Sequence, residues 1–176
     1  MLEQVALGVL MQQPMSGYDI KKVIDSSVGL FYKASFGSLY PALGRLTDKG
    51  MVSLTELEDS KNKKIYTIEE PGRAEFISWL QEPLEGTRNA HLIKIFFYDY
   101  LDEETRQFRL AEYEAGLRGK MGQIKAVQGI VAGELEQIDN PDDYYYRISV
   151  LSYGLKHYEM EQKWIAQIKE RMNLND

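Results

Sequence analysis

Apolar residues recur along the first fifty positions at the three-and-four spacing of helices that bury one side. Leu2, Val5, Ala6, Val9 and Leu10 form the first such stripe, and Pro14 is expected to end it. Ser16 then opens a second helix, with Asp19 three residues on as in a capping box, Val23 and Ile24 on the apolar side and Gly29 as the stop. The third helix is the most informative. In S-F-G-S-L-Y-P-A-L-G-R-L-T-D-K-G (Ser35–Gly50), Leu39, Leu43 and Leu46 share one stripe. Ser35 is the expected N-cap and Gly50 the expected left-handed stop. Pro41 sits near the helix start, where its missing amide costs least. Gly37, Tyr40, Pro41, Gly44 and Arg45 lie away from the leucines. A face of small residues with one aromatic and one arginine can approach a large surface closely, and a DNA major groove admits a helix.

Past Gly50 the pattern changes to that of strands. Val52, Leu54, Ile65, Tyr66, Thr67 and Ile68 are strand formers, separated by the polar turn E-L-E-D-S-K-N-K-K with Lys61, Lys63 and Lys64 at its end. A further helix is predicted from about Gly72 to Leu80. Three helices, two strands and a helix, in that order, make a winged helix-turn-helix.

The second half reads as helices. E-P-L-E-G-T-R-N (Glu82–Asn89), punctuated by Pro83 and Gly86, marks a boundary. The segment A-H-L-I-K-I-F-F-Y-D-Y-L that follows is apolar on much of its circumference, so it is expected to be buried between other elements. Asp102 reads as the cap of a long helix running to about Ile138, with Glu103 and Glu104 suiting its positive end. Leu117, Met121, Ile124, Val131, Leu135 and Ile138 trace a heptad-like seam, interrupted by Gln128. Gly116, Gly119, Gly122, Gly129 and Gly133 are unusual in such a helix and suggest close helix approach or a bend. A last helix is expected from Asn140 and Pro141, with a second seam through Ile148, Leu151, Leu155, Tyr158, Ile165 and Met172. Two such helices cannot cover every apolar face by themselves, and Trp164 and Tyr144–Arg147 add more surface, so pairing with a second copy is expected.

Several of these stretches together resemble the PadR family of transcriptional regulators: S-G-Y-D-I (Ser16–Ile20), G-S-L-Y-P-A-L-G-R-L (Gly37–Leu46), D-K-G-M-V (Asp48–Val52), K-K-I-Y-T-I (Lys63–Ile68) and P-G-R-A-E-F (Pro71–Phe76). The match is strong over the first 80 or so residues and looser beyond, mainly around Gly154 to Ile168 with Trp164. The resemblance implies a mainly α protein: a winged helix-turn-helix over residues 1–85, with three helices, a two-stranded wing and one further helix, then an α-helical dimerisation and effector domain over residues 86–176. It implies a homodimer that presents two recognition helices to double-stranded DNA bearing an inverted repeat. Tyr40 and Arg45, with Ser35 and Ser38, would reach bases or phosphates; Lys21 and Lys22 would touch the backbone, and Lys61, Lys63 and Lys64 would set the wing against flanking phosphates. Repression is the expected output. Some relatives release DNA on binding phenolic acids in a pocket between the two parts, which makes Met15, Tyr18, Tyr153, His157 and Tyr158 the candidates for a small aromatic effector. Transcriptional activation, or a winged helix that binds protein and not DNA, are the alternatives.

Charge and composition refine this picture. The net charge of −6 counts against DNA binding if read globally. The first 80 residues hold nine Lys/Arg and ten Asp/Glu, however, so most of the acidity lies in the second half. Phosphate contacts need a local patch, and modest affinity per module follows. The chain has no cysteine, which excludes disulfides and thiolate metal sites. Nothing reads as a signal peptide or a membrane span, and a cytoplasmic location is expected. His91 and His157 are the only histidines and neither is set in a catalytic or metal pattern. With no phosphate-cradling glycine loop and no carboxylate pair in contrasting settings, neither an enzyme nor a cofactor is expected. Twelve tyrosines and seven methionines supply adaptable surface for an aromatic ligand.

Overall fold

The computed structural model describes residues 1–57, 63–84 and 89–173. The described residues are mainly helical, with one three-stranded antiparallel sheet. They form two compact units, Met1–Thr105 and Arg106–Asp176.

In the first unit, α1 (Leu2–Leu10), α2 (Gly17–Ser26) and α3 (Phe36–Asp48) converge on a shared core. Val5, Leu7, Ile20, Ile24, Leu39 and Leu43 are fully buried there. Helix α3 starts with a reciprocal cap: the Ser38 backbone amide donates to Ser35 Oγ (3.2 Å) and the Ser35 amide donates to Ser38 Oγ (3.1 Å). It ends in a Schellman turn, with the Met51 amide donating to the Leu46 carbonyl and the Gly50 amide to that of Thr47, both at 2.9 Å. Gly50 takes the left-handed conformation this turn requires, at φ 67°. The turn delivers the chain into β2 (Val52–Leu57), which pairs antiparallel with β3 (Lys63–Ile68).

Three local expectations need correction. The sheet has a third strand, β1 (Met15–Ser16), paired to β3 through Met15–Tyr66 and Ser16–Ile65. The N-cap Ser16 has extended backbone (φ −72°, ψ 157°), so the residues entering α2 are already strand-like. Second, α2 stops at Ser26 and not at Gly29. The Ser26 and Ser27 hydroxyls donate to the Val23 carbonyl, and Gly29 lies in the 3-10 turn Val28–Leu30, where a Cβ would sit 3.0 Å from the Ile24 carbonyl oxygen. Third, α1 ends at Leu10, four residues before Pro14.

Helix α4 (Glu70–Gln81) begins two residues earlier than the apolar pattern indicates, with Pro71 in its first turn. Gly72 lies against the chain leaving α3: a Cβ there would be 2.2 Å from the Met51 carbonyl oxygen, which itself accepts from the Glu69 amide (2.9 Å). Backbone cannot swing aside as a side chain can. Gly72→Ala is therefore expected to destabilise the protein by about 3 kcal/mol, at the upper end of overpacking costs; urea unfolding measures it, and a change below ~1 kcal/mol would contradict this account.

Helix α5 (Ala90–Phe96) and the following 3-10 turn (Tyr98–Tyr100) pack within the first unit. The Phe97 and Tyr100 rings meet Phe76 edge-on at 5.4 and 5.8 Å. Lys94, only 5% exposed, donates to Glu82 Oε2 (3.2 Å) and to the carbonyls of Glu82 and Pro83, and lies over the Trp79 ring. Its buried charge is thus matched to acceptors at the end of α4.

The second unit is an antiparallel helix pair. Asp102 caps α6 (Glu103–Leu135), accepting from the Thr105 amide at 2.8 Å. The 3-10 turn Pro141–Tyr144 leads into α7 (Tyr145–Asn173). Asn140 is not the cap of the long helix: its side chain donates to Asp143 Oδ1 (3.0 Å) ahead of the 3-10 turn, and α7 starts only at Tyr145. Leu110, Leu117 and Ile165 are buried, and an added Cβ at Gly154 would touch Ile124 at 3.1 Å. Gly116, Gly119, Gly122, Gly129 and Gly133 have no described neighbour within 4 Å of an added Cβ, so nothing in the described chain approaches them closely.

Candidate functional site

Leu39, Ala42, Leu43 and Leu46 turn one side of α3 into the core, and the opposite side faces outward. Gly37, Pro41 and Gly44 run along its middle, with nothing within 4 Å of an added Cβ at Gly44 and only the Ser35 hydroxyl near Gly37. At 3.6 residues per turn, Tyr40 and Arg45 diverge by about 140° around the axis and occupy opposite flanks. The outward face therefore has an aromatic edge and a basic edge.

The aromatic edge is a ladder. Tyr18 stacks on Phe36 (6.2 Å, 12°) and Phe36 on Tyr40 (6.1 Å, 20°). The three rings are 64%, 44% and 46% exposed, respectively. Tyr40 approaches α2 closely: a Cβ on Gly17 would fall 2.6 Å from Tyr40 Cε1, so a side chain there would displace the ring. Lys21 lies over the Phe36 ring at 5.4 Å and also pairs with Asp25. Beside the ladder, Gly17, Tyr18, Asp19, Tyr40, Lys63 and Lys64 line a shallow groove.

On the basic edge, Arg45 Nε donates to Glu3 Oε1 (2.6 Å) and Lys49 Nζ to Glu3 Oε2 (3.2 Å). The Arg45 guanidinium, with Lys49 beside it, holds the Glu3 carboxyl below the usual carboxylate range. The wing cations also have acidic partners. Lys63 lies 3.5 Å from Asp19, and Lys64 pairs at 3.2 Å with Glu56, its cross-strand neighbour. The Ser16 hydroxyl, which donates to Asp19 Oδ2 (2.6 Å), is the main reason that the Asp19 carboxyl stays deprotonated to lower pH than usual. Lys22 is exposed on α2 along a separate groove with Pro14 and Val23. Ser35 and Ser38 are exposed, with hydroxyls engaged in the α3 cap. Lys61 lies outside the described residues.

The effector candidates divide between the two units. Met15 is buried in the sheet opposite Tyr66, and Tyr18 is the outer rung of the ladder. Tyr153, His157 and Tyr158 cluster on α7, His157 stacking on Tyr153 (6.2 Å, 5°) and meeting Tyr158 at 5.5 Å. Periodicity gave no sign of two members of that cluster. Glu161, 6% exposed, accepts from the Tyr113 hydroxyl of α6 (2.7 Å) and lies 3.4 Å from His157 Nε2. Burial, reinforced by this carboxylate, raises the Tyr113 pKa far above the phenolic norm. Phe36 and Glu3 were missed in the same way; the only sequence signal for Glu3 is an acid on the polar side of the first helix.

Among the described residues no cluster of three or more His, Asp or Glu could hold a metal ion, and no helix is long and apolar enough to cross a membrane.

Comparison with known proteins gives these features a context. A family model described as the transcriptional regulator PadR-like family matches residues 6–78, and one described as virulence activator alpha C-term matches residues 87–173. The negative transcriptional regulator PadR of Bacillus subtilis is 27% identical over 177 residues, spanning 95% of this chain and 94% of that protein. Two crystal structures of Bacillus subtilis PadR superpose with 23% identity. The complex with operator DNA gives a TM-score of 0.44 and covers 97% of this chain and 98% of that one. The complex with p-coumaric acid gives 0.42 and covers 98% and 95%. The relatives are transcriptional regulators, not enzymes. Residues 6–78 and the winged helix they build match the PadR-like family of transcriptional regulators, so the chain carries a domain of that family.

Proposed function

We propose that the chain is a homodimeric repressor that binds an inverted-repeat operator in the cytoplasm and is released by a small aromatic, phenolic effector. Residues 1–85 contact DNA and residues 86–176 pair the copies. The outward face of α3 carries the reading: three small residues let the helix axis sink into a major groove, while Tyr40 and Arg45 reach its two walls. Lys21 and Lys22 lie toward the backbone, and the wing lysines toward flanking phosphates. The pairing is supported by α7. Tyr146, Val150, Tyr153 and Met160 are 82%, 67%, 61% and 56% exposed at heptad spacing, on a helix whose other side already meets α6. The effector reading is supported by the polar–aromatic cluster of Tyr153, His157, Tyr158 and Glu161.

Selection of bound duplexes from a random pool tests the whole reading. It is expected to return two half-sites in inverted orientation, bound by a species that sediments as a dimer. Failure to enrich any sequence, or binding by a monomer, would overturn it.

A second reading has its own support. The match of residues 87–173 to a virulence-activator model favours activation as the output. A reporter placed behind the selected operator separates the two, since a repressor lowers expression and an activator raises it.

Glu3 supplies a sharper test of the basic edge. It occupies both Arg45 and Lys49, so Glu3→Gln releases two cations toward DNA. The variant is expected to bind operator about 3-fold to 10-fold more tightly at low salt, as one added phosphate contact would. Fluorescence anisotropy measures it, and unchanged affinity would place Arg45 and Lys49 outside the interface.

A further inference from the structure

We infer that Phe36 is a specificity-determining residue, reading the 5-methyl group of a thymine in each half-site. The inference rests on the DNA-binding reading above and adds a base contact to it. Phe36 is the first residue of α3, the end of a recognition helix whose side chains meet base edges. Its backbone is pinned by the reciprocal Ser35–Ser38 cap, and its ring is held between Tyr18 and Tyr40. Lys21 lies over it with a side chain only 13% exposed, so the cation covers the ring from the protein side. What remains is an ordered apolar surface, 44% exposed, continuous with Tyr40.

The chemistry selects the occupant. A phenyl ring has no donor or acceptor, so it cannot read the hydrogen-bonding pattern of the major groove. The thymine methyl is the apolar feature that the groove offers, and phenylalanine is a suitable contact for it. Lys63 and Lys64, about half exposed beside the ladder, can exchange Asp19 and Glu56 for phosphates, which favours a polyanion over an apolar protein partner. The neighbouring tyrosines can supply hydroxyls to phosphate or base, which leaves the methyl contact to Phe36.

The test uses the full chain and the selected operator, with each thymine replaced in turn by uracil. This removes one methyl and leaves every hydrogen-bonding group in place. Wild type is expected to lose about fourfold in affinity at one position per half-site, the effect of a single buried methyl. In Phe36→Ala the same replacement is expected to have no effect, because the partner is gone. Phe36→Leu, which keeps apolar bulk, is expected to show an intermediate response and serves if the alanine variant folds poorly. Uniform tolerance of uracil by wild type, or a uracil effect that persists undiminished in the Phe36 variants, overturns the inference while leaving DNA binding intact. If wild type binds no selected duplex, the DNA-binding reading and this inference fall together. Self-association through the ladder, seen as a change of oligomeric state in Phe36→Ala, also overturns it.

Discussion

Phe76→Ala is expected to destabilise the first unit by about 3–5 kcal/mol, the usual cost of deleting a fully buried aromatic ring. The ring is 0% exposed and touches Trp79, Phe97 and Tyr100, so its removal strips contacts from α4, α5 and the turn after α5 together. On the fourth side lies α1, whose Gly8 would bring a Cβ to 2.8 Å from Phe76 Cζ and 2.7 Å from Phe97. Such a tightly bounded site cannot collapse around a void without moving backbone. Domains of this size have only about 5–15 kcal/mol of net stability, so a large share of it would go. Chemical denaturation followed by near-ultraviolet circular dichroism reports the loss. A cost under ~1 kcal/mol would show that the ring is not where α1, α4 and α5 join.

Tyr40→Ala is expected to weaken operator binding about tenfold per half-site, and on the order of 100-fold for a dimer engaging two. Half of the ring is braced on Gly17 and Phe36 and half is presented outward, so little flexibility is lost on binding. Tyr40→Phe separates the two contributions of the side chain. Retained affinity would assign the effect to the ring, and lost affinity to the hydroxyl. Thermal melting of each variant checks that the fold survives. Wild-type affinity in a folded Tyr40→Ala protein would show that α3 is not the helix that meets DNA.

The legible parts of the molecule are those set by neighbours in sequence. Helix α3 could be read almost to the residue because its leucine stripe, serine cap and glycine stop all lie within sixteen positions. The β2–β3 pair followed from strand-forming residues on either side of a polar turn. What escaped depends on partners brought from far along the chain. Glu3 meets Arg45 from 42 residues away, and Glu161 meets Tyr113 from 48. Strand β1 is two residues long and carries no alternation to detect. Phe36 is the instructive case. It lies three residues before Leu39, a spacing that by itself would count it with the core, yet the cap at Ser35 starts the helix there and turns the ring onto Tyr18 at the surface. Helix α5 follows a clear break in composition, and the Phe97 ring just past its end meets Phe76 of α4 edge-on, a contact made between residues 21 positions apart.

The pairing of Arg45 and Lys49 with Glu3, Lys63 with Asp19 and Lys64 with Glu56 changes what a salt titration would count. Each of these cations that turns to a phosphate abandons a carboxylate, which then draws a sodium ion from solution. Ions are shed by the duplex and recaptured by the protein in the same event. The dependence of affinity on salt should accordingly be shallower than the number of basic side chains in contact, and a count of phosphate contacts taken from that slope would fall short by the number of acids left behind.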